Sequence, residues 1–326
     1  MSTFILGKIV LKCRKEDNIV AKLIIIGNGF DLAHRIPTSY NDFRKYLILN
    51  YPDAYQNKNR IINISEIEDL KSISVELILY ALDHANGDDW SDFEASLSRI
   101  NFEDKFQRHE HRENPEEDNS TAADYLMYIM ELTEIFKHCV TLWNILLSDW
   151  IKEIERTIEN KAYEPLEPIY ELLHGDAKIM TFNYTKTVQF LYGKPRVKHI
   201  HNRVGQELVF GHSNVNPTYQ EDCYNSLGSN FLDDILKMLY KDTKKQIKKY
   251  SDFFRKIDSS INEVYSYGFS YGMSDIPYIK LIIENIAEDA VWYFTKFDSS
   301  NKEFMRRTKI KLRKLGFKGE FAISKY

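Results

Sequence analysis

The stretch KLIIIGNGFDLAHRIPTSY, residues 22–40, joins a strand signal to a turn and then to the start of a helix. Its first part is short, apolar and unbroken, which predicts a strand buried on both faces, as in the centre of a parallel sheet. The Gly-Asn-Gly that follows predicts a tight turn, and Ser39 with Asp42 matches a capping box at the start of a helix. These residues therefore predict the first β–turn–α unit of an α/β protein.

Further strand and helix signals alternate in the second half of the chain. Such alternation is typical of an α/β fold with a mainly parallel, Rossmann-like sheet. Ligands of these sheets bind beyond the carboxyl ends of the strands, so we expect the functional residues there. The strand signals lie at 177–182, 197–201, 207–212, 263–269, 290–294 and 321–323.

A helical block separates the first unit from the rest. Within it, residues 121–160 carry apolar side chains in steps of three and four, which predicts one long helix. We expect this helix to pack within its own chain, and the alternative is a seam between copies in a homo-oligomer. The predicted division is an N-terminal extension (1–21), a first part of the α/β domain (22–64), an inserted helical subdomain (65–160) and the remainder of the α/β domain (161–326), with a long charged helix near 229–257.

Composition and charge argue against several classes of protein. The formal net charge is -4 at pH 7, so no nucleic-acid signature is evident. Cys13, Cys139 and Cys223 lie far apart without a C-x-x-C pair, which argues against a thiolate zinc site or a disulfide framework and favours the reducing cytoplasm. No apolar run approaches the roughly 18 residues that cross a membrane, and residues 1–13 are only weakly similar to a signal peptide.

Gly27 and Gly29 draw attention first among the candidate site residues. They permit a tight turn and a close approach by a ligand, and the N–H groups of such a turn suit phosphates. The glycine fingerprint of dinucleotide sites is incomplete, however, because Leu32 stands at its third glycine position. A nucleotide site and a purely structural turn therefore both remain open for this segment.

Two later junctions also carry small or polar residues directly after a strand. Asn183, in TFNYT, can both donate and accept, and so can hold a ribose hydroxyl or a water. Ser270 lies in YGFSYGMSDIP, residues 267–277, among glycines and other hydroxyl groups. The alternative for both junctions is ordinary helix capping, by Asn183 or Thr185 in the first and by Asp275 in the second.

The segment HIHNRVGQELVFGH, residues 199–212, contains three histidines. The H-x-H spacing of His199 and His201 permits a metal site, but no acidic or cysteine ligand lies nearby, so we predict no metal. A single histidine acting as general base is the more economical interpretation, since the ordinary pKa of histidine lies near neutrality.

Taken together, these motifs resemble those of the AbiH family of bacterial abortive-infection proteins. The matching stretches are LIIIGNGFDLAH with IPTSYNDF, Trp90-x-Asp92-Phe93-Glu94, TFNYT, HIH and GFSYGMSDIPY. The resemblance spans residues 22 to about 280 and implies a role in phage defence. It also implies a phage-derived trigger or a partner defence protein.

That family is in turn distantly similar to the sirtuin fold, which binds NAD. By this resemblance, His201 is the catalytic base and Asn183 orients the nicotinamide ribose and the attacking water. Thr185 and Asn202 depart from the sirtuin pattern, which has Asp and Gly there, and the missing C-x-x-C pairs argue against a protein deacylase. The residues implied to line the dinucleotide are Gly27, Asn28, Gly29, Phe30, Asp31, Pro37, Thr181, Gly268 and Ser270.

Three functions follow as hypotheses. The first is a phage-defence effector that hydrolyses NAD at the nicotinamide–ribose bond, with NAD as substrate and no separate cofactor. The second is a sensor or interaction module that binds NAD or a related nucleotide without turnover. The third is a metal-dependent nuclease that uses His199, His201 or His212.

Overall fold

A parallel sheet organises the computed structural model, which describes residues 21–85, 87, 89–107, 122–160, 162–173, 177–213 and 234–326. Its six strands follow the order β3-β2-β1-β4-β5-β6, and every pairing is parallel. The α/β, Rossmann-like prediction is therefore confirmed, and the predicted extension 1–21 lies almost wholly outside the described residues. The strands are β1 (Ala21–Ile26), β2 (Ala177–Thr181), β3 (Val197–His199), β4 (Ile261–Tyr267), β5 (Val291–Phe294) and β6 (Glu320–Ile323).

Strand β1 lies at the centre of the sheet, as its unbroken apolar run predicts. Leu23 and Ile25 pack into the core on one face of the sheet, whereas Ile24 and Ile26 pack into the core on the other. Its neighbours are β2 and β4, so Ile26 stands beside both Thr181 and Tyr267. The strand order reverses between β1 and β4, which opens a crevice at their carboxyl ends.

Helices fill the connections between the strands. The Ser39–Asp42 capping box is present at the start of α2. Between β1 and β2 lie α1 (Asn28–Ala33), α2 (Tyr40–Asn50), α3 (Pro52–Asn57), α4 (Leu70–Asp83), α5 (Trp90–Ser96), α6 (Ala122–Glu159) and α7 (Glu167–Leu173). The later ones are α8 (Thr187–Tyr192), α9 (Thr243–Lys249), α10 (Ser251–Phe254), α11 (Ile276–Asn285), α12 (Lys296–Ser300) and α13 (Lys302–Lys314).

The long helix α6 confirms the helix predicted from the apolar pattern of residues 121–160. Its apolar stripe is buried within the chain, where the Trp143 indole is fully buried and donates from Nε1 to the carbonyl of Ser74 on α4 at 2.8 Å. This intrachain packing accounts for the heptad pattern without a partner copy. A homo-oligomer and the residue boundaries of the helical subdomain stay predictions. No helix among the described residues combines the length and apolarity that crossing a membrane requires.

Two predicted elements differ in the structure. Residues 207–212 form no strand, and His212 makes only an isolated bridge to Tyr240. The single charged helix predicted near 229–257 is also wrong for its described part, which is helical at 234–238, in α9 and in α10. The break has a physical cause, because the N–H of Lys241 donates to the carbonyl of His212 at 2.8 Å, and the backbone leaves the helical path to do so.

Candidate functional site

A cleft of about 570 Å³ opens at the carboxyl edge of the sheet, where the strand order reverses. Its floor comes from the loops after β1, β2 and β4, and one wall comes from Trp90, Glu94 and Trp150 of the helical block. The volume falls within the range of small-molecule sites. The structure brings these predicted site residues together along the cleft: Gly27, Asn28, Gly29, Asp31, Asn183, His201, Gly268 and Ser270.

Three further predicted residues lie outside the cleft lining. Phe30 is buried, and its ring packs at an angle against those of His34 and Tyr267. Thr181 is also buried, and its hydroxyl accepts a hydrogen bond from the N–H of Asn183 at 3.1 Å. Pro37 is exposed. Phe30 and Thr181 therefore support residues of the cleft from behind.

The glycines of the β1 turn serve a contact between two loops. A Cβ built on Gly27 would lie 2.5 Å from the carbonyl oxygen of Gly268, and one on Gly29 would lie 2.6 Å from the Gly268 Cα. The N–H groups of Gly27, Gly29 and Phe30 all donate to backbone carbonyls. These N–H groups are therefore occupied, and the glycines bring the β1 and β4 loops into backbone contact instead of offering those donors to a phosphate.

Asp31 and Asn183 form a buried polar pair at the floor of the cleft. Oδ2 of Asp31 accepts a hydrogen bond from the Thr185 hydroxyl at 2.6 Å. The Thr185 hydroxyl in turn lies 3.0 Å from the Thr187 hydroxyl. Burial raises the pKa of the Asp31 carboxyl to about 6, against the lowering effect of these hydroxyls. Oδ1 of Asp31 and both amide atoms of Asn183 have no hydrogen-bond partner, although they are buried. Such orphaned groups are costly unless a ligand or water completes them.

His201 lies beside a group of buried charges. Its Nε2 is 3.1 Å from Oδ1 of Asp275, and the Lys241 ammonium is also 3.1 Å from that oxygen. Both contacts lie at ion-pair distance. Lys241 further donates to both carboxylate oxygens of Glu94 at 2.9 Å, and the Ser274 hydroxyl donates to Oε2 of Glu94 at 2.9 Å.

The charges of this group stabilise one another. Burial alone would raise the pKa of the Asp275 carboxyl, but Lys241 and then His201 outweigh burial and hold it below its usual range. Burial would likewise lower the pKa of the Lys241 ammonium, and Asp275 and Glu94 outweigh it and raise that pKa. Lys241 is therefore charged although its side chain is fully buried, with Asp275 and Glu94 as its partners.

Helix capping does not explain the polar residues at these junctions. The N-cap of α8 is Lys186, and the Thr185 hydroxyl bonds Asp31 instead. Asp275 occupies the N-cap position of α11 but makes no side-chain capping bond, because its carboxylate faces Lys241 and His201. The side chains of Asn183, Thr185 and Asp275 are thus directed to the site.

The three histidines of 199–212 do not converge. Nδ1 of His199 is 3.0 Å from the carbonyl of Asn183, and its Nε2 is 2.7 Å from the Gln189 amide, while burial lowers its pKa to about 4. His212 contacts the carbonyl of Leu236. Within the described part of the chain, no group of three or more histidine, cysteine or acidic side chains is arranged to hold a metal. Only His201 of the three lines the cleft.

Glu94 and Lys241 are the site residues that reasoning from single motifs missed. Glu94 was visible only as the last letter of the W-x-D-F-E motif, and no feature of the sequence connects it to the cleft. Lys241 lies in the charged run near 229–257, whose composition indicates a solvent-exposed helix. Asp275 was noted only as a helix cap. The W-x-D-F-E motif, as part of the resemblance to the AbiH family, was the one available signal.

Comparison with known proteins gives one match. A family model described as "Bacteriophage abortive infection AbiH" matches residues 23–296, well over half of the 326 residues. The matched range contains Glu94, Asn183, His201, Lys241 and Asp275, and it ends before the outer cleft residues that follow β5. No curated protein and no solved structure gives a significant match.

Proposed function

The chain belongs to the AbiH family of bacteriophage abortive infection proteins, and from this premise we propose that its cleft binds NAD and hydrolyses the nicotinamide–ribose bond. The observation that carries the proposal is the meeting of His201 and Asn183 in one cleft at the reversal of the strand order. That position is where doubly wound sheets bind dinucleotides.

The charge of the cleft supports a substrate whose reacting centre is positive. Glu94 and Asp275 formally carry two negative charges and Lys241 one positive charge, which leaves one net negative charge beside His201. Cleavage of NAD at this bond moves positive charge from the nicotinamide ring to an oxocarbenium-like ribose, and a fixed negative charge beside that ribose stabilises the developing centre. Asp31 adds a further acidic group to the floor of the cleft.

The proposed step is a displacement at C1′ of the nicotinamide ribose. The C1′–N1 bond breaks and its electron pair goes to the ring, which leaves as neutral nicotinamide. Water forms the new C1′–O bond, and His201 takes up the proton that the water loses. Asn183 orients the water or a ribose hydroxyl through its unpartnered amide, and the products are nicotinamide and ADP-ribose.

The test is to incubate the full chain with NAD and follow nicotinamide release, alone and with extracts of phage-infected cells as a source of trigger. We expect release by the wild type and at least about a 100-fold loss in His201→Ala. Absence of nicotinamide under every condition, together with unchanged phage protection by His201→Ala, overturns the proposal.

The same experiment distinguishes the second hypothesis, a nucleotide sensor without turnover. The occupied N–H groups of Gly27, Gly29 and Phe30 do not distinguish the two hypotheses, because both require the nucleotide to bind in this cleft. A sensor predicts a higher melting temperature with NAD, no product, and phage protection that persists in His201→Ala. Hydrolysis predicts product and loss of protection in that variant.

A further inference from the structure

Three buried charged side chains, Glu94, Lys241 and Asp275, adjoin the imidazole of His201. We propose that Lys241 and Glu94 hold Asp275 against His201, and that the net charge of these three positioning residues sets the protonation state of the His201 ring. The inference deepens the proposed function. Only the catalytic consequence of the inference rests on that function. The protonation of the ring is measurable whether or not the chain turns over NAD.

The three residues come from separate parts of the fold. Glu94 lies on α5 of the helical block, Lys241 lies in the break before α9, and Asp275 lies at the start of α11. Lys241 contacts Glu94 at 2.9 Å and Asp275 at 3.1 Å, and its side chain is fully buried. Three segments of the fold therefore meet at one ammonium group, and Asp275 connects that group to His201 at 3.1 Å.

The charges beside the ring act on its protonation in opposite senses. With a neutral imidazole the group carries one net negative charge, and a proton on His201 would neutralise it. In a poorly solvated interior such an imbalance acts strongly on a ring in contact with it. Asp275 thus plays the part that an acidic residue plays behind a catalytic histidine, by orienting the ring and stabilising its charged form.

Other side chains around His201 leave this charge balance unchanged. The rings of Phe182, Tyr184 and Tyr278 lie 5.1, 6.4 and 6.1 Å from the imidazole, centre to centre. Burial raises the pKa of both tyrosine hydroxyls above the ordinary value, so both stay neutral across the usual range of pH. The titratable groups that matter for the ring are therefore Glu94, Lys241 and Asp275.

The inference predicts shifts of opposite sign in matched variants. Asp275→Asn and Glu94→Gln each remove one negative charge, so the midpoint of the His201 titration moves to lower pH. The shift is about 1 to 3 pH units for Asp275→Asn, and smaller for Glu94→Gln because Lys241 intervenes. Lys241→Met removes the positive charge, so the midpoint moves to higher pH.

The experiment follows the imidazole signals of ¹⁵N-histidine-labelled full chain by NMR as a function of pH. The chain has nine histidines, and the signal missing in His201→Gln identifies the ring of interest. Glu94→Gln with Lys241→Met restores the wild-type net charge, and we expect its midpoint to return toward the wild-type value. Glu76→Gln serves as the control, since Glu76 is a buried carboxylate that pairs with Arg60 away from the cleft.

Shifts of opposite sign, with recovery in the double variant, support the inference. Midpoints that stay within about 0.3 pH units of wild type, or that move in the same direction in Glu94→Gln and Lys241→Met, overturn it. Because Lys241→Met leaves two buried carboxylates facing each other, its melting curve is recorded first. If it does not fold, the deciding comparison is between Glu94→Gln and the double variant, whose midpoint must lie higher than that of Glu94→Gln. If nicotinamide release is found, its pH profile must shift in the same sense. A titration shift without release supports the inference and counts only against the proposed hydrolysis.

Discussion

The N–H of Gly29 donates to the carbonyl of Gly268 at 2.9 Å, so the loops after β1 and β4 touch backbone to backbone at the crevice of the sheet. A methyl group on Gly27 would lie 2.5 Å from the same Gly268 oxygen and 2.6 Å from the Cα of Phe269. We predict that Gly27→Ala forces the loops apart and lowers the free energy of unfolding by about 1–3 kcal/mol.

Urea unfolding of wild type and Gly27→Ala measures this cost. Gly193→Asn is the matched control, because Gly193 has a φ of 62°, which asparagine tolerates, and a Cβ there meets no atom within 4 Å. We expect the control to stay within about 0.5 kcal/mol of wild type. Equal stability of Gly27→Ala and wild type would show that the loop contact is easily displaced.

Removal of the Asn183 side chain should affect activity and leave stability unchanged. Both of its amide atoms are buried without a hydrogen-bond partner of good geometry, and the amide only helps to lower the pKa of the neighbouring Asp31 carboxyl, so truncation breaks no strong bond within the protein. We predict that Asn183→Ala melts at or above the wild-type temperature and loses about 100-fold in the kcat of nicotinamide release.

Asn144→Ala is the reverse case and supplies the comparison. The Asn144 side chain donates to the carbonyl of Leu208 at 2.8 Å and accepts from its N–H at 3.0 Å. We expect this variant to melt at a lower temperature and to keep its kcat. A lower melting temperature for Asn183→Ala would instead assign Asn183 a structural role.

Asp31 gives the protein a pH-dependent stability. Burial raises the pKa of its carboxyl from 3.8 to about 6, so the folded state binds the proton more tightly than the unfolded state. Stability from this group is therefore fully present below about pH 4 and is lost as the pH rises through about 6. The loss is on the order of 3 kcal/mol.

The variant Asp31→Asn removes this dependence because an amide does not titrate. Its amide oxygen can still accept the hydrogen bond from the Thr185 hydroxyl. The difference in unfolding free energy between the variant and wild type should shift in favour of the variant as the pH rises from 4 to 7. Chemical unfolding at several pH values measures it, with the exposed Asp289→Asn as control. A difference that does not change with pH would mean that Asp31 titrates alike in both states.

Trp143 is expected to anchor the helical block. It is fully buried, its ring lies 5.9 Å from those of Phe102 and Phe136, and its indole bonds the carbonyl of Ser74. We predict that Trp143→Ala costs about 3–5 kcal/mol in the free energy of unfolding. Denaturant unfolding followed by circular dichroism measures the loss.

Ile145 lies two residues further along the same helix and is 48% exposed. Ile145→Ala should therefore change the unfolding free energy by less than about 0.5 kcal/mol. A large cost at Ile145 would point to a contact with a second copy across the exposed face of α6. That outcome would favour the homo-oligomer alternative for this helix.

The sequence predicted much of the fold because its strands are buried on both faces. The unbroken run from Leu23 to Ile26 identifies a central strand, since both of its faces must be apolar. The strand at 207–212 was mistaken because a short apolar run is equally consistent with a buried loop. The helix near 229–257 was misjudged because local charge patterns do not contain the distant backbone pairing of Lys241 with His212.

What the sequence determined by itself is the set of strand ends and the polar groups that follow them, because periodicity and composition are local properties. Asn183 and His201 could be found in this way. Only the tertiary structure decided that Glu94, Lys241 and Asp275 meet beside His201, since ion pairs of Lys241 with residues 147 and 34 positions away leave no local pattern. It also decided that the glycines serve a backbone contact, because the atom that excludes a side chain belongs to a loop more than two hundred residues away.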